Sequence, residues 1–401
     1  MDLPLGCVSN FPGPGHLAKR RSDVQLTKLE KRQFEERGFS RRSFGRLATL
    51  LAAGSSLPFY NEPALAQFSK IENAPTDAVM INANENPLGP CPEAREAVAN
   101  IISQGGRYLY GETDRLAAIL AQQEQLKPSY VRIYAGSSAP LHQAVLAFTS
   151  PNKAFVTADP GYEAGERAAH FIGAKVARVP LTKDYAHDVK AMAAVADAGL
   201  IYVCNPNNPT GTLTPKADIE WLVANKPSGA VVMVDEAYTH IAGAPFNTDL
   251  VAADKDLIVL RTFSKIYGMA GLRAGAALAR PDLIEKLAGF SAGMMPITGM
   301  VAASASLESK TVVPERRKKI GDVRSDVFSF LAQHKFPFVP SVSNCFMVDV
   351  GQPGLDIVMA MRKEKVYIGR VWPSWPTHVR VTVGTAEEMA KFKAAFLKVM
   401  A

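Results

Sequence analysis

Cysteine is scarce: four residues in 401 (Cys7, Cys91, Cys204, Cys345), scattered and without a CxxC pair. That leaves a disulfide framework or a thiolate zinc site without support. The seven histidines form no HExxH or HxxxH pattern, so no metal is expected. No apolar run is long and unbroken enough to span a bilayer. Basic runs interleaved with aromatics are also missing. The formal charge of +7 is concentrated in the first 66 residues, which hold ten Lys/Arg against six Asp/Glu and leave +3 for the rest. A mildly basic solvated surface is expected, with no nucleic-acid partner. Beyond those first 66 residues a basic run, Glu315-Arg316-Arg317-Lys318-Lys319, reads as a solvated helix face.

What is present begins with an address. Ser40-Arg41-Arg42-Ser43-Phe44 precedes a short apolar stretch, Leu47 to Gly54, and a small-residue site at Ala64-Leu65-Ala66. Basic region, paired arginines, apolar region and cleavage site in that order read as a twin-arginine export signal. Residues 1–66 are therefore expected to be cleaved and the mature protein to be periplasmic, or cytoplasmic if the signal is not used. Residues 67–104 are expected to begin a small domain, 105–296 to form a large one, and 297–401 to complete the small one.

In the large domain, apolar runs at 131–134, 154–158, 200–204, 230–234 and 257–261 alternate with amphipathic stretches at 140–148, 162–171 and 216–224. Strand, helix, strand at this spacing predicts an α/β fold with a mostly parallel sheet covered on both faces. Shorter strands near 345–350, 366–368 and 379–383 suit a smaller α+β domain. Ligands of such sheets bind at the carboxyl ends of strands, and four segments begin there or nearby. They are Asn205-Pro206-Asn207-Asn208-Pro209-Thr210-Gly211, Val234-Asp235-Glu236-Ala237-Tyr238, Arg261-Thr262-Phe263-Ser264-Lys265 through Arg273, and Val379-Arg380-Val381-Thr382-Val383-Gly384-Thr385.

Singly these are a turn, a helix cap, a lysine and a basic strand residue. Together they supply what pyridoxal 5′-phosphate requires. Lys265 offers an amine to the aldehyde as a Schiff base. Asp235 offers a buried carboxylate to keep the pyridine nitrogen protonated. Hydroxyls, a helix N-terminus and Arg273 suit the phosphate, and the planar fork of Arg380 suits a substrate α-carboxylate.

From about Ile81 to the C-terminus the chain resembles the fold-type I pyridoxal-phosphate enzymes of the class I/II aminotransferase group. Within that group it is most similar to the histidinol-phosphate aminotransferase branch. The resemblance rests on Asn82-Ala83-Asn84-Glu85-Asn86-Pro87, the NPNNPTG turn, DEAY, Ser264-Lys265 followed by AGLRAG, and RVTVGT, in the family's order and spacing. It implies a large domain with a seven-stranded-type sheet and a ping-pong exchange of an amino group between an amino acid and a 2-oxo acid. It also implies roles. Lys265 carries the cofactor and moves the proton, Asp235 pairs with the ring nitrogen, and Asn208 and Tyr238 bond the ring hydroxyl. Tyr162 stacks on the ring, while Ser137, Ser138, Thr262, Ser264 and Arg273 hold the phosphate. Tyr108 reaches the phosphate of a neighbouring subunit, which implies a homodimer. Arg380, Asn84 and Arg370 face the substrate.

Two departures stand out. Ser137-Ser138-Ala139-Pro140 lacks the acidic side chains usual after Gly136. Trp372-Pro373-Ser374-Trp375-Pro376 is an unusual stiffened aromatic loop beside Arg370. It could face the substrate or pack at the domain edge. An exported enzyme would be cut off from intracellular histidine biosynthesis, which argues for another substrate. A lyase, decarboxylase or oxidase on the same scaffold is the alternative reaction, and a non-catalytic regulator is a third possibility.

Overall fold

Long runs of Val, Leu, Ile and Ala with no polar alternation have to be buried on both faces, and this dictates the centre of the molecule. A computed structural model describes residue 32 and residues 35–40, 74–291 and 295–401. The paired arginines, the apolar stretch and the cleavage site of the expected export signal lie outside these. Seven strands form the main sheet: β2 (Val131–Tyr134), β3 (Ala154–Asp159), β4 (Val176–Pro180), β5 (Ala198–Cys204), β6 (Val231–Asp235), β7 (Leu257–Thr262) and β8 (Gly275–Leu278). Their order is β2-β8-β7-β6-β5-β3-β4, parallel except for β8. Every residue of β5, β6, β7 and β8 is buried. The α/β class and the mostly parallel sheet are as the apolar runs predicted, and the seven strands are as the resemblance implied.

The small strands come from both ends of the described chain. Strand β1 (Val79–Ile81) pairs in parallel with β10 (Val366–Ile368), Val79 opposite Val366. Strands β9 (Cys345–Asp349) and β11 (His378–Thr382) form an antiparallel pair. The helix Ile297–Glu308 packs on Pro92–Ile101 and Tyr110–Gln123, and the long helix Val312–Gln333 follows. The C-terminal helix Ala386–Met400 starts with a complete capping box, Thr385 with Glu388.

One placement differs from expectation. Within the basic cluster, Arg316 is buried, donating from Nη1 to the Ile266 carbonyl (3.0 Å) and from Nη2 to the Gly89 carbonyl (2.6 Å). The helix face is thus not wholly solvated; one guanidinium ties it to the residue after Lys265. Part of the expected leader also lies against the fold. Arg37 Nη2 donates to the carbonyls of Leu146, Ala147 and Thr149, which close the helix Ser138–Phe148, and Phe39 is buried. Among the described residues, Cys91, Cys204 and Cys345 are free and buried, and no helix is long and apolar enough to cross a membrane.

Candidate active site

Because β2, β3, β5, β6 and β7 run the same way, the loops leaving them gather at one edge of the sheet. Gly136–Ser138 follow β2, Tyr162 follows β3, Asn208 follows β5, Asp235 ends β6, and Thr262 ends β7 three residues before Lys265. The segment after β1 and strand β11 bring Asn82, Asn84 and Arg380 to the same place. Arg380 Nη1 donates to Asn208 Oδ1 (2.9 Å), and Asn84 Nδ2 donates to the Tyr238 hydroxyl (3.1 Å).

Asp235 is 3% exposed and accepts hydrogen bonds from the Tyr202 hydroxyl (2.8 Å) and the Ala237 amide (3.1 Å). Neither donor is a cation. Burial pushes its carboxyl up to about 6, against the opposing pull of those bonds and of the Lys265 charge. Lys265 is half-buried, its Nζ 3.5 Å from the Ala83 carbonyl and 5.7 Å from the centre of the Tyr238 ring. Burial raises the Tyr238 phenol well above its ordinary value, so the hydroxyl keeps its proton. With Asn84 donating to its oxygen, that proton is available to an acceptor in the site. Asn208 likewise spends its carbonyl end on Arg380, leaving the amide N–H end for a ring hydroxyl. Asn84 is itself buried and braced by Thr382, whose hydroxyl donates to Asn84 Oδ1 (3.1 Å) and accepts from the Asn84 amide (2.9 Å).

An anion cradle adjoins these groups. Ser137 precedes the helix Ser138–Phe148 without spending its hydroxyl on a cap, so the first amides of the helix are open to an anion. Thr262 donates to Ser264 Oγ (3.0 Å), and Arg273 Nη1 lies 3.4 Å from the same oxygen. Gly136, at φ +89°, is the residue that only glycine can fill: a Cβ there would stand 2.3 Å from Arg273 Nη2. Arg273 takes a left-handed backbone itself, at φ +57°. Ser264 and Thr262 are both buried, so their hydroxyls are turned into the fold and away from solvent. The donor set therefore fits a phosphorylated pyridine aldehyde. It has an amine, a buried carboxylate without a bonded cation, and a cradle of amides, hydroxyls and one guanidinium.

The substrate side centres on Arg380, which is 7% exposed. Its Nη2 donates to the Asn82 carbonyl (2.6 Å), and its buried Nε has no hydrogen-bond partner among the described residues. Both acceptors, Asn208 Oδ1 and the Asn82 carbonyl, are neutral. Arg370 forms an ion pair with Glu163 and lies 4.4 Å over the ring of Trp372, while Arg380 lies 5.5 Å over the same ring. Trp372 is 1% exposed and donates from Nε1 to the Gly161 carbonyl (2.9 Å), beside half-buried Tyr162. Trp372 of the aromatic loop is thus a buried platform beneath two arginines, whereas Trp375 is half-buried against Tyr185 and His378. Tyr108 stands apart, 66% exposed with Tyr110 and Ile102 on the surface.

Sequence reasoning missed Tyr202, Glu163, Asn344 and Arg316. Asn344 Nδ2 donates to the Asn84 carbonyl (3.1 Å) and so supports the loop beneath Arg380. Tyr202 sits inside β5, two residues before its end at Cys204, and since every residue of that strand is buried no alternation in the sequence marks it as facing Asp235.

The sequence profile of the family "Aminotransferase class I and II" matches residues 76–396. A histidinol-phosphate aminotransferase of Symbiobacterium thermophilum is 33% identical over 327 residues, which is 80% of this chain and 90% of that one. One from Moorella thermoacetica is 31% identical over 337 residues, 81% of this chain and 86% of its own. The crystal structure of histidinol-phosphate aminotransferase from Sinorhizobium meliloti in complex with pyridoxal-5′-phosphate superposes with a TM-score of 0.73. It is 26% identical and covers 80% of this chain and 90% of that one.

Proposed function

The chain belongs to the class I and II aminotransferase family and is a pyridoxal-phosphate-dependent aminotransferase; from that premise we propose how its residues divide the work. Bound at this site, pyridoxal phosphate supplies an aldehyde that captures amines and a protonated ring that draws electrons from a substrate's α-carbon. Lys265 would hold the aldehyde and, once displaced by substrate, move the α-proton with its Nζ. Asp235 would hold the proton on the ring nitrogen. Its raised pKa in a site with no cation bonded to it is the observation that carries this reading. Tyr238 and Asn208 would donate to the ring hydroxyl, Tyr162 would cover the ring, and Ser137, Ser138, Thr262, Ser264 and Arg273 would hold the phosphate. Arg380 would fix the substrate carboxylate so that one face of the α-carbon meets Lys265.

We propose that the donor is an amino acid and not histidinol phosphate, an amino-alcohol ester that has no carboxylate. Incubating the loaded protein with single amino acids and no acceptor tests this. Stoichiometric loss of the cofactor's aldehyde absorbance with at least one common donor is expected. Retention with every donor would count against amino transfer, and release of ammonia, carbon dioxide or peroxide would favour the lyase, decarboxylase or oxidase reading. Two further proposals concern setting. The exposure of Tyr108, Tyr110 and Ile102 suits a homodimer in which Tyr108 serves the neighbouring site; sedimentation equilibrium checks the dimer, and weaker cofactor binding by a Tyr108→Ala variant that still dimerises checks the shared site. Arg41-Arg42 and the following residues suit twin-arginine export. A double Arg→Lys change should retain the protein in the cytoplasm, and unchanged fractionation would refute it.

A further inference from the structure

Both substrates of a ping-pong exchange use one site, so whatever stands beside Arg380 decides which side chains enter. That neighbour is Arg370, and its charge is already answered. Glu163 lies one residue beyond Tyr162, just before the helix Ala164–Ile172, and its Oε2 pairs with Arg370 Nη1. The side chains are only 15% exposed for Arg370 and 27% for Glu163, so water screens the pair incompletely. Arg370 is also held from below. It lies over Trp372, whose indole N–H is bonded to Gly161, and Ser374 Oγ donates to Asp159 Oδ1 (2.6 Å) from the same loop. The loop that carries Arg370 and the loop that carries Glu163 are thereby fastened to each other.

We propose that Glu163 is a specificity-determining residue, a built-in counter-ion that neutralises Arg370 and favours amino acids with uncharged side chains. The proposal rests on the aminotransferase reading above and names the substrate class of that site. The charge count is simple. A substrate α-carboxylate satisfies Arg380, and the remaining pair, Arg370 with Glu163, is neutral. An uncharged side chain meets that pair without breaking it. A phosphate or a second carboxylate must take Arg370 from Glu163 and then lie beside the carboxylate it displaced, which adds like-charge repulsion to the lost ion pair. Arg370 cannot easily follow such an anion, because moving away would forfeit its contact with the Trp372 ring.

The test compares Glu163→Gln and Glu163→Asp with the wild type, all loaded with cofactor. Succinate and butyrate, two unreactive four-carbon acids that differ by one carboxylate, are titrated by calorimetry. Removing the charge should raise succinate affinity about tenfold relative to butyrate, and Glu163→Asp should stay within about threefold of the wild-type ratio. In catalysis, the ratio of kcat/KM for glutamate over leucine should move the same way. An unchanged succinate-to-butyrate ratio in Glu163→Gln overturns the proposal. So does a gain shared equally by butyrate, or an Asp variant that behaves like Gln. If no amino acid reacts with any of the three proteins, the amino-transfer reading fails, while the binding ratio still decides the role of Glu163.

Discussion

Replacing Asp235 by Asn should stabilise the cofactor-free protein while crippling the loaded one. The carboxyl titrates at about 6 in the fold, above the ordinary carboxylate value of roughly 3.9, because burial outweighs its hydrogen bonds. The folded state therefore binds this proton more tightly than the unfolded chain. Stability falls as pH rises from about 4 to about 6, and the loss persists above that range. Two units at about 1.4 kcal/mol each give roughly 3 kcal/mol at pH 8, and about half of that at pH 5. The Asn variant escapes this penalty but satisfies Tyr202 and Ala237 less well, which costs about 1 kcal/mol at every pH. Urea unfolding of the cofactor-free proteins should show the variant more stable by about 2 kcal/mol at pH 8, with a lead about 1.5 kcal/mol smaller at pH 5. Loading the cofactor should reverse the order, since the wild-type carboxylate then gains a cationic partner. A lead that is independent of pH, or that shrinks towards pH 8, would refute the reasoning.

Other consequences can be measured separately. Arg316→Ala removes the two bonds to Ile266 and Gly89, and should cost about 3 kcal/mol in urea unfolding. The Ile266 carbonyl keeps its bond from Asn86 Nδ2, so the Gly89 carbonyl is the acceptor left without this partner. Trp372→Phe should cost about 1–2 kcal/mol through loss of the bond to Gly161, and Trp372→Ala about 3–5 kcal/mol through the cavity, both read by thermal unfolding. Gly136→Ala forces a side chain onto Arg273 at an unfavourable φ, and should weaken cofactor binding by about tenfold or more in a fluorescence titration.

Much of the site was legible because each motif sits where a buried strand ends, and the end of a parallel strand is a place with a chemical meaning. Asp235, Lys265, Asn208 and Arg273 were reached that way. Strand β8 was not, since Gly-Ala-Ala-Leu carries little strand preference and is held by its neighbours β2 and β7. The burial of Arg316 was hidden for another reason. A cluster of five charges looks solvated until a partner from elsewhere in the chain covers one of them. The linkage of Glu163, Arg370 and Trp372 joins residues about two hundred apart, and no local pattern records it. Local spacing told what chemistry was on offer. Which of those charges would be left unanswered was decided by tertiary contacts.

The pairing of β1 with β10 also sets a schedule. Val79 finds Val366 only after about 290 further residues have been made. At roughly 5–20 residues per second, the first strand waits on the order of fifteen seconds to a minute for its partner. The seven-stranded sheet can assemble in that interval, because its last strand ends at Leu278. The loop from Asn82 to Asn86, and with it the wall against Arg380, is therefore the last part of the site to close. A ribosome paused before β10 would hold a nearly complete sheet whose active site stands open on one side.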